Sequence, residues 1–257
     1  MNDELQKLYE WMCINKLSLN IKKTKCMIFT MKEKIDIGNR ILLNGQNLEQ
    51  VHKFKFLGVV IDSHLKWTDH IHHIRNKASK GLGILYKARR LLKSQTLLTL
   101  YYSFIFPYML YCIEVWGNAS KDLMNSLYRL QKRALRLIKY VPIRTESEPL
   151  FKSLELLNVF KLYNFRIGIL MFKVNANKVP NCINKLFTKN SEIHSRSTRQ
   201  MNNLHMPYTR LEKVKKSVRY RGVTIWNLIS EKIEYNCSIF CFKRRLKNYL
   251  IDNDILV

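Results

Sequence analysis

Side chains able to carry out catalysis are sparse in this sequence of 257 residues. Two-metal phosphoryl transfer requires carboxylates that share two cations about 4 Å apart. The aspartates include no Asp-Asp pair and occupy positions 3, 36, 62, 69, 122, 252 and 254. Asp252 and Asp254 lie in a polar C-terminus, which favours fraying over catalysis. The sequence also lacks a G-x-S-x-G nucleophile elbow, so we expect no catalytic residue of these types and no metal site.

Two groups of potential metal ligands have a simpler interpretation. Histidines and aspartates cluster at positions 62, 64, 69, 70, 72 and 73. A metal site is one interpretation of this cluster, but solvated or capping side chains are the more common outcome at a helix start. Cys237 and Cys241 have no second Cys/His pair at zinc spacing nearby, which favours helical neighbours over zinc. The six cysteines are scattered and no secretory leader is present, so we expect an intracellular protein, either nuclear or cytoplasmic.

The charge balance points to a polyanionic partner. Lys and Arg number 45 against 19 Asp and Glu, a formal net charge of +26, while 47% of the residues are hydrophobic. This composition excludes a disordered basic tail and favours nucleic acid, with an anionic membrane as the second choice. Glycine is scarce, and Gly81-x-Gly83 follows no strand pattern, so a phosphate-cradling glycine loop and a small-molecule cofactor are not expected.

Part of this charge falls on helical faces. A helix from about Ser120 has one apolar stripe, Leu123 to Val141, and no acidic residue over 123–139. Pairing with acidic neighbours therefore cannot explain its basic residues, and we predict phosphate contact, with a solvated basic face as the alternative. A C-terminal helix after Ser238 repeats the pattern, with Phe242, Leu246 and Leu250 inside. The candidate nucleic-acid-binding residues of the two helices are Arg129, Lys132, Arg133, Arg136, Lys139, Lys243, Arg244 and Arg245.

The surrounding elements predict an α+β chain in three regions. Residues 1–66 combine a helix capped by Asp3, with Leu5, Leu8 and Met12 at helical spacing, and short strands. The strands are predicted at 25–30, around the Asn44-Gly45 hairpin signal, and over Phe54–Ile61, where Gly58 permits close backbone approach. Residues 67–187 are mainly helical, beginning with a long helix capped by Thr68 or Asp69 that extends to Leu92. Residues 188–257 are a polar linker over 188–200 and a basic C-terminal segment.

Residues 94–113 carry no charge and are long enough to span a bilayer. Their serines, threonines and four tyrosines lower the hydropathy of the segment. We therefore favour a buried pair of helices, broken or kinked at Pro107, over a membrane-spanning helix.

Three blocks of residues share their spacing with one protein family. The first is Trp11-x-x-x-Asn15-Lys16-Leu17-Ser18-Leu19-Asn20-x-x-Lys23-Thr24-x-x-Met27-x-Phe29. The second is Phe56-Leu57-Gly58-Val59-x-Ile61-Asp62-x-x-Leu65-x-Trp67-x-x-His70-Ile71. The third comprises Leu130-Gln131-x-x-Ala134-x-Arg136, then Gly222-x-x-Ile225-Trp226-Asn227 and Phe242-Lys243-x-x-Leu246-Lys247. Together they resemble the end of the palm, the thumb and the C-terminal segment of non-LTR retrotransposon reverse transcriptases, jockey-like elements among them.

The resemblance implies a small antiparallel palm remnant with a primer-grip hairpin, then a helical thumb and connection region that follows an RNA–DNA hybrid. The hairpin over Phe54–Ile61 would hold the primer end through Phe56, Leu57, Gly58 and Val59, with Lys53 and Lys55 beside them. Lys23 matches a lysine near the active site that neutralises or protonates pyrophosphate, although an ordinary surface lysine fits equally well.

The resemblance also implies a nucleotidyltransferase that works with Mg²⁺ bound to an Asp-Asp box upstream of the Trp11 helix. The sequence does not contain that box, so we expect Mg²⁺ only in a full-length enzyme, and no polymerisation by this chain alone.

Three hypotheses follow from these observations. The first is a partial reverse transcriptase that keeps its template–primer surface, with the upstream part of the polymerase as a potential partner. The second is a non-enzymatic nucleic-acid-binding protein derived from it. The third, and the least favoured, is a basic membrane-associated protein built around residues 94–113.

Overall fold

The computed structural model describes residues 2–30, 41–193 and 200–253. The chain divides into two compact units between His70 and Ile71. The predicted boundaries at 66/67 and 187/188, and the α+β description with its palm and thumb, stay predictions.

In its described residues, the first unit combines one α-helix with three two-stranded sheets. Its elements are α1 (Asn2–Ile14), a 3₁₀ turn (Ile21–Lys23), β1 (Lys25–Cys26), β2 (Leu42–Leu43), β3 (Gln46–Asn47), β4 (Glu49–Gln50), β5 (Lys53–Phe56) and β6 (Val59–Asp62). β1 pairs with β4 in parallel, whereas β2–β3 and β5–β6 are antiparallel. β1 is shorter than the strand predicted over 25–30, and residues 31–40 lie outside the described part.

Two tight turns set the hairpins of this unit. The hairpin predicted at Asn44-Gly45 is confirmed, with both residues at positive φ between β2 and β3. The single strand that the residue pattern predicted over Phe54–Ile61 is wrong, because Leu57 (φ 45°) and Gly58 (φ 88°) reverse the chain between β5 and β6. These residues form a hairpin, as the family resemblance implied. Two successive residues at positive φ are typical of the type I′ turn that matches strand twist.

The helix α1 differs from its prediction in burial and in capping. None of its side chains is fully buried, and Trp11 is 54% exposed, so the stripe of Leu5, Leu8 and Met12 is not part of a closed core. The helix begins at Asn2, which places Asp3 in the first turn instead of at the N-cap. A carboxylate in that turn interacts favourably with the helix dipole.

In the described part of the second unit, the regular secondary structure is helical, apart from one β-bridge between Lys189 and Leu204. α2 (Thr68–Ala88) leads into it from the first unit and ends four residues before the predicted Leu92. The remaining helices are α3 (Ser94–Phe104), α4 (Phe106–Leu110), α5 (Ile113–Trp116), α6 (Lys121–Ile138), α7 (Glu148–Ser153), α8 (Val159–Asn175), α9 (Asn181–Asn184), α10 (Asn190–Ile193), α11 (Glu212–Lys215), α12 (Val218–Ser230) and α13 (Ile239–Asp252). Residues 194–199 of the linker predicted over 188–200 lie outside the described part, whereas Asn190–Ile193 of the same segment forms α10.

The uncharged segment 94–113 is folded as short helices. Buried side chains recur every four residues, at Leu97, Tyr101, Ile105, Met109 and Ile113. The break falls at Ile105, between α3 and α4, and not at Pro107 as predicted. Pro107 instead occupies the first turn of α4, where its missing N–H costs no hydrogen bond. In residues 2–30, 41–193 and 200–253, none of the helices combines the length and the hydropathy that crossing a bilayer requires.

The core of the second unit is built around α8. This helix is buried on most of its surface and contacts α5, α6, α12 and α13. Phe172 of α8 stacks on Phe242 of α13 at 4.5 Å between ring centres. The predicted start of α13 is confirmed, since the Ser238 hydroxyl accepts the Cys241 N–H, and so is its inner face of Phe242, Leu246 and Leu250.

Candidate nucleic-acid interface

The helix α6 separates an apolar face from a basic face. It starts directly after Ser120, near which its start was predicted, and its apolar residues at Leu127, Leu130, Ala134 and Ile138 are buried. This spacing of three and four residues keeps one side of the helix against the core. The only acidic residue between Lys121 and Ile138 is Asp122, in the first turn. The opposite face is therefore positively charged, and the packing of the apolar face against the core holds it in place.

Arg129 and Arg133 are the exposed basic residues of this face. They are four positions apart, so they lie one above the other on the helix surface. Within the part of the chain that the structure describes, neither guanidinium forms a hydrogen bond or an ion pair. Their donors are therefore directed to solvent and accessible to an external anion.

Lys132, on the same face, interacts with an aromatic cluster. Its Nζ lies 4.5 Å from the centre of the Tyr128 ring, which stacks on Phe151 and meets Phe160 edge to face. A cation held over a tyrosine face keeps its hydrogen-bond donors available to a ligand. A shallow depression of about 310 Å³ adjoins this point and is lined by Asp122, Asn125, Tyr128, Arg129 and Lys132.

Arg136 uses part of its donor capacity inside the protein. Its Nε and Nη2 donate to the carbonyl oxygen of Thr145, at 2.9 and 2.8 Å. The guanidinium therefore fixes the loop that follows α6, in addition to the phosphate contact predicted for it. Lys139, the C-cap residue of the helix, is half-buried.

The basic residues of α13 divide in the same way. Lys243 and Arg244 are exposed, whereas Arg245 is half-buried. The Nη1 of Arg245 donates to the Glu234 carboxylate at 2.7 Å and to the Glu234 carbonyl at 3.2 Å. Arg245 therefore ties α13 to the preceding loop, and Lys243 and Arg244 are the residues of this helix that are open to a ligand.

The β5–β6 hairpin presents its turn to solvent. Phe56, Leu57 and Gly58 are exposed, with Leu57 at 74%, whereas Val59 is buried. Lys55 is exposed, and Lys53 forms an ion pair of 2.7 Å with Asp69. The first unit thus carries an apolar hairpin tip with one solvent-facing lysine on its strand.

Asp62, which the sequence placed in a cluster of potential metal ligands, has a structural role that the sequence did not reveal. Its Oδ1 accepts the N–H groups of His64 and Lys66, and its Oδ2 accepts that of Trp67, at 2.9 to 3.1 Å. Partial burial raises the pKa of Asp62, but these three backbone N–H groups outweigh it, and the pKa lies below its ordinary value. The carboxylate therefore closes the turn between β6 and α2. The Asp-Ser-His order after a strand could have signalled such a turn.

The histidine cluster likewise has structural contacts. His70 Nδ1 accepts the Val60 N–H at 3.2 Å, and His64 Nδ1 lies 2.9 Å from the Thr30 carbonyl. An open depression of about 350 Å³ lies beside Asp62, His64 and Asp69. Within the described residues, no three His, Cys, Asp or Glu side chains are grouped so that they could hold a metal ion.

Lys23 is exposed at the end of the 3₁₀ turn, and its backbone N–H donates to Asn20 Oδ1 at 3.1 Å. Lys23 and the hairpin belong to the unit before Ile71, whereas the basic faces of α6 and α13 belong to the unit after His70. The predicted site residues are thus divided between the two units.

Gln131 is a second residue whose role the sequence did not reveal. It is fully buried in α6, where its Nε2 donates to the Tyr101 hydroxyl at 3.0 Å and to the Leu157 carbonyl at 3.3 Å. Its Oε1 accepts the Val159 N–H at 2.8 Å. Gln131 therefore connects α3, α6 and the start of α8, and it holds the basic face of α6 in place.

Comparison with known proteins identifies several relatives. No protein-family model matches the chain, and no solved structure matches it. The RNA-directed DNA polymerase from mobile element jockey of Drosophila funebris is 29% identical over 146 residues, which cover 55% of this chain and 16% of that protein. The probable RNA-directed DNA polymerase from transposon BS of Drosophila melanogaster is 30% identical over 146 residues, 54% of this chain and 16% of that protein. The corresponding X-element polymerase of the same species is 24% identical over 168 residues, 64% of this chain and 18% of that protein.

The chain thus spans less than one fifth of the length of these relatives. All of them are named as polymerases of mobile elements, in agreement with the resemblance carried by the sequence motifs. The chain is therefore a relative of part of the RNA-directed DNA polymerases, or reverse transcriptases, of non-LTR mobile elements.

Proposed function

We propose that this chain binds the sugar–phosphate backbone of a template–primer duplex as part of a mobile-element reverse transcriptase. The observation that carries the proposal is the pair of exposed, unpaired guanidinium groups of Arg129 and Arg133 on a helix whose opposite face is buried. Guanidinium groups match phosphate oxygens in geometry and charge. The names of the relatives supply the class of nucleic acid.

Backbone contact is the mode of binding that suits this surface. A helix face with arginines and a lysine one turn apart can follow phosphates without reading base edges. An RNA–DNA hybrid is recognised mainly by its shape and its backbone. The net charge of +26 adds long-range attraction for any such polyanion.

In this proposal the β5–β6 hairpin contacts the primer. Its exposed tip, Phe56 to Gly58, offers apolar surface to a sugar or base, and Lys55 offers a cation for the neighbouring phosphate. Lys53 contributes less because Asp69 neutralises it.

We also propose that the chain does not extend primers by itself. The sequence contains no adjacent aspartates, and the carboxylate of Asp62 is occupied by three backbone N–H groups. Two-metal polymerisation needs carboxylates that are free to coordinate cations.

The test measures binding of the full chain to an RNA–DNA hybrid by fluorescence anisotropy across a series of salt concentrations. The affinity of the unmodified chain should fall steeply with salt, since each phosphate contact adds about 0.9 to the slope of log K against log salt. The double variant Arg129→Ala/Arg133→Ala should lose about 1.8 from that slope. An unchanged slope would show that these residues are bystanders.

A matched control removes two exposed helical arginines at other sites, Arg75 of α2 and Arg219 of α12. It lowers the net charge equally, so a slope change as large as that of the Arg129/Arg133 variant would attribute binding to overall charge. Primer extension with Mg²⁺ should show no nucleotide incorporation by the purified chain. Incorporation would refute the second part of the proposal.

A further inference from the structure

Two loops at the end of α6 are joined by one tyrosine. The Tyr140 hydroxyl donates toward the carbonyl oxygens of Arg89, at 3.1 Å, and of Leu92. The guanidinium carbon of Arg89 lies 5.1 Å from the centre of the Tyr140 ring. The α2–α3 loop, residues 89–93, is thereby attached to the start of the α6–α7 loop, residues 139–147. We call these two segments the paired loops.

The second of the paired loops is also held by hydrogen bonds from the end of α6 and within the loop itself. Arg136 donates two hydrogen bonds to the Thr145 carbonyl, and the Thr145 N–H donates to the Pro142 carbonyl at 3.1 Å. The Val141 N–H donates to the Arg136 carbonyl at 3.2 Å, which closes the end of the helix. A surface that is already ordered loses little conformational entropy when it binds.

The paired loops expose two aliphatic side chains. Leu91 is 88% exposed and Ile143 is 83% exposed, although both loops are held by hydrogen bonds. Turn positions are ordinarily filled by Gly, Pro, Asn, Asp or Ser. Large aliphatic groups at such tips gain from contact with apolar surface on a partner.

Cations flank these tips in the sequence. Glu146 is the one carboxylate in the sequence of the paired loops, and neither 86–93 nor 139–144 contains any. The second of the paired loops also follows directly from the basic helix, because Arg133 lies five residues before Ile138, the last residue of α6, or about 7.5 Å of helix rise. The basic residues of the paired loops and their flanks are Lys87, Arg89, Arg90, Lys93, Lys139 and Arg144.

We propose that the paired loops form a second binding site for double-stranded nucleic acid, in which the cations hold phosphates and Leu91 and Ile143 insert against base surface. Apolar side chains, leucine and isoleucine among them, are used by proteins as wedges between base steps, together with arginine and lysine in the groove. The ligand class rests on the proposed function, but the site consists of different residues. A polyanion that follows α6 past Arg133 reaches this site next.

We call Leu91 and Ile143 the wedge. The wedge and the flanking cations are expected to affect different measured quantities. The duplex for this test carries 2-aminopurine in its DNA strand, where stacking on neighbouring bases quenches the fluorescence of this base. Binding of the full chain should raise the 2-aminopurine fluorescence, because a displaced base loses its stacking. The variant Leu91→Ser/Ile143→Ser should bind about tenfold more weakly and lose the fluorescence rise, with its salt slope unchanged. The variant Arg90→Ala/Lys93→Ala/Arg144→Ala should reduce the slope by about 2.7.

A variant of Tyr140 tests whether the ordered α2–α3 loop is needed for insertion of the wedge. Tyr140→Phe keeps the ring beside Arg89 but removes the hydroxyl that holds the α2–α3 loop. The fluorescence rise should fall while the salt slope stays at the value of the unmodified chain. A slope that fell with it would show that Tyr140 affects the charges and not the placement of the wedge, and would contradict this inference.

The outcomes separate this inference from the proposed function. If the duplex binds with the slope expected of Arg129 and Arg133, but the serine variant binds like the unmodified chain and 2-aminopurine stays stacked, the wedge is refuted alone. If the duplex does not bind at all, both proposals fail. If the serine variant loses binding to phosphatidylserine vesicles while its duplex binding is unchanged, the paired loops are a membrane contact and the inference is overturned.

Discussion

Replacing Gln131 by methionine is expected to lower the free energy of unfolding by about 2–4 kcal/mol, although methionine has nearly the same volume. The amide of Gln131 satisfies the Tyr101 hydroxyl, the Leu157 carbonyl and the Val159 N–H inside the second unit. Tyr101, Gln131 and Val159 are fully buried, so water cannot replace the lost partner. Methionine would therefore leave polar groups without hydrogen bonds in the core.

The magnitude follows from the three contacts. An orphaned buried donor or acceptor costs about 1–3 kcal/mol, and the contacts to Tyr101 and Val159 have good lengths, whereas that to Leu157 is long. Burial raises the pKa of Tyr101, so its hydroxyl stays protonated and cannot compensate by ionising. Gln131→Ala adds a cavity and should cost about 3–5 kcal/mol. These values are a large fraction of the stability of an ordinary domain.

The assay is urea denaturation followed by circular dichroism at 222 nm. Gln95→Ala is the matched control because Gln95 is an exposed glutamine of α3, and its variant should stay within about 0.5 kcal/mol of the unmodified chain. If Gln131→Ala does not fold, the methionine variant alone decides the question. A methionine variant within about 0.5 kcal/mol of the unmodified chain would refute the hydrogen-bond argument.

Two further perturbations test local features. Asp62→Asn should destabilise the first unit near neutral pH, and the difference should shrink as the pH falls from about 5 to about 2. The reason is that the stabilisation by Asp62 is complete above its ordinary pKa of 3.8 and is lost as the pH falls through the lower folded value. Urea midpoints measured at each pH check this, and a constant difference would contradict it. Gly81→Ala should cost about 1–3 kcal/mol because its Cβ would lie 2.6 Å from the Phe104 carbonyl oxygen, whereas Gly83→Ala, with open space around it, should gain about 0.5–1 kcal/mol. Thermal unfolding of the two variants decides the matter, and equal shifts would disprove close packing at Gly81.

Features that depend on neighbours in the chain were predictable from the sequence. The apolar stripe and Ser120 place α6 within one residue of its observed start, and Ser238 does the same for α13. The Asn44-Gly45 turn follows from residues that adopt positive φ readily. The local pattern missed the Leu57-Gly58 turn, because leucine rarely adopts positive φ and its local preference indicated a continuous strand. The family resemblance, in contrast, implied a hairpin over these residues.

Features that depend on distant partners were not predictable. The motif Leu130-Gln131-x-x-Ala134-x-Arg136 was recognised as a family feature, but its sequence does not show that Gln131 contacts residues 26 to 30 positions away. It also does not show that Arg136 holds the Thr145 carbonyl. Helical periodicity places a residue on a face, but its contacts depend on what packs there.

This difference between local and distant information changes how the basic residues are interpreted. The sequence treats the cations of a helix face as equivalent, yet the structure shows two groups. Lys53, Arg136 and Arg245 donate to acceptors of the protein. Lys53 pairs with Asp69 at the start of α2, Arg136 holds the loop after α6, and Arg245 holds the loop before α13. Arg129, Arg133, Lys243 and Arg244 are exposed and carry their charge into solvent.

The division has a physical consequence for the function of the surface. A cation that is held by a protein acceptor gains less from a phosphate, because it must share its donors or give up the internal contact. A cation in solvent loses only hydration and exchanges its counterions for the phosphate. The internal bonds of Arg136 nevertheless support the proposed binding, since they fix the loop that carries Ile143 and Arg144. In the proposed function, the basic residues of α6 therefore divide the work: Arg136 holds the surface in shape, and Arg129 and Arg133 bind the polyanion.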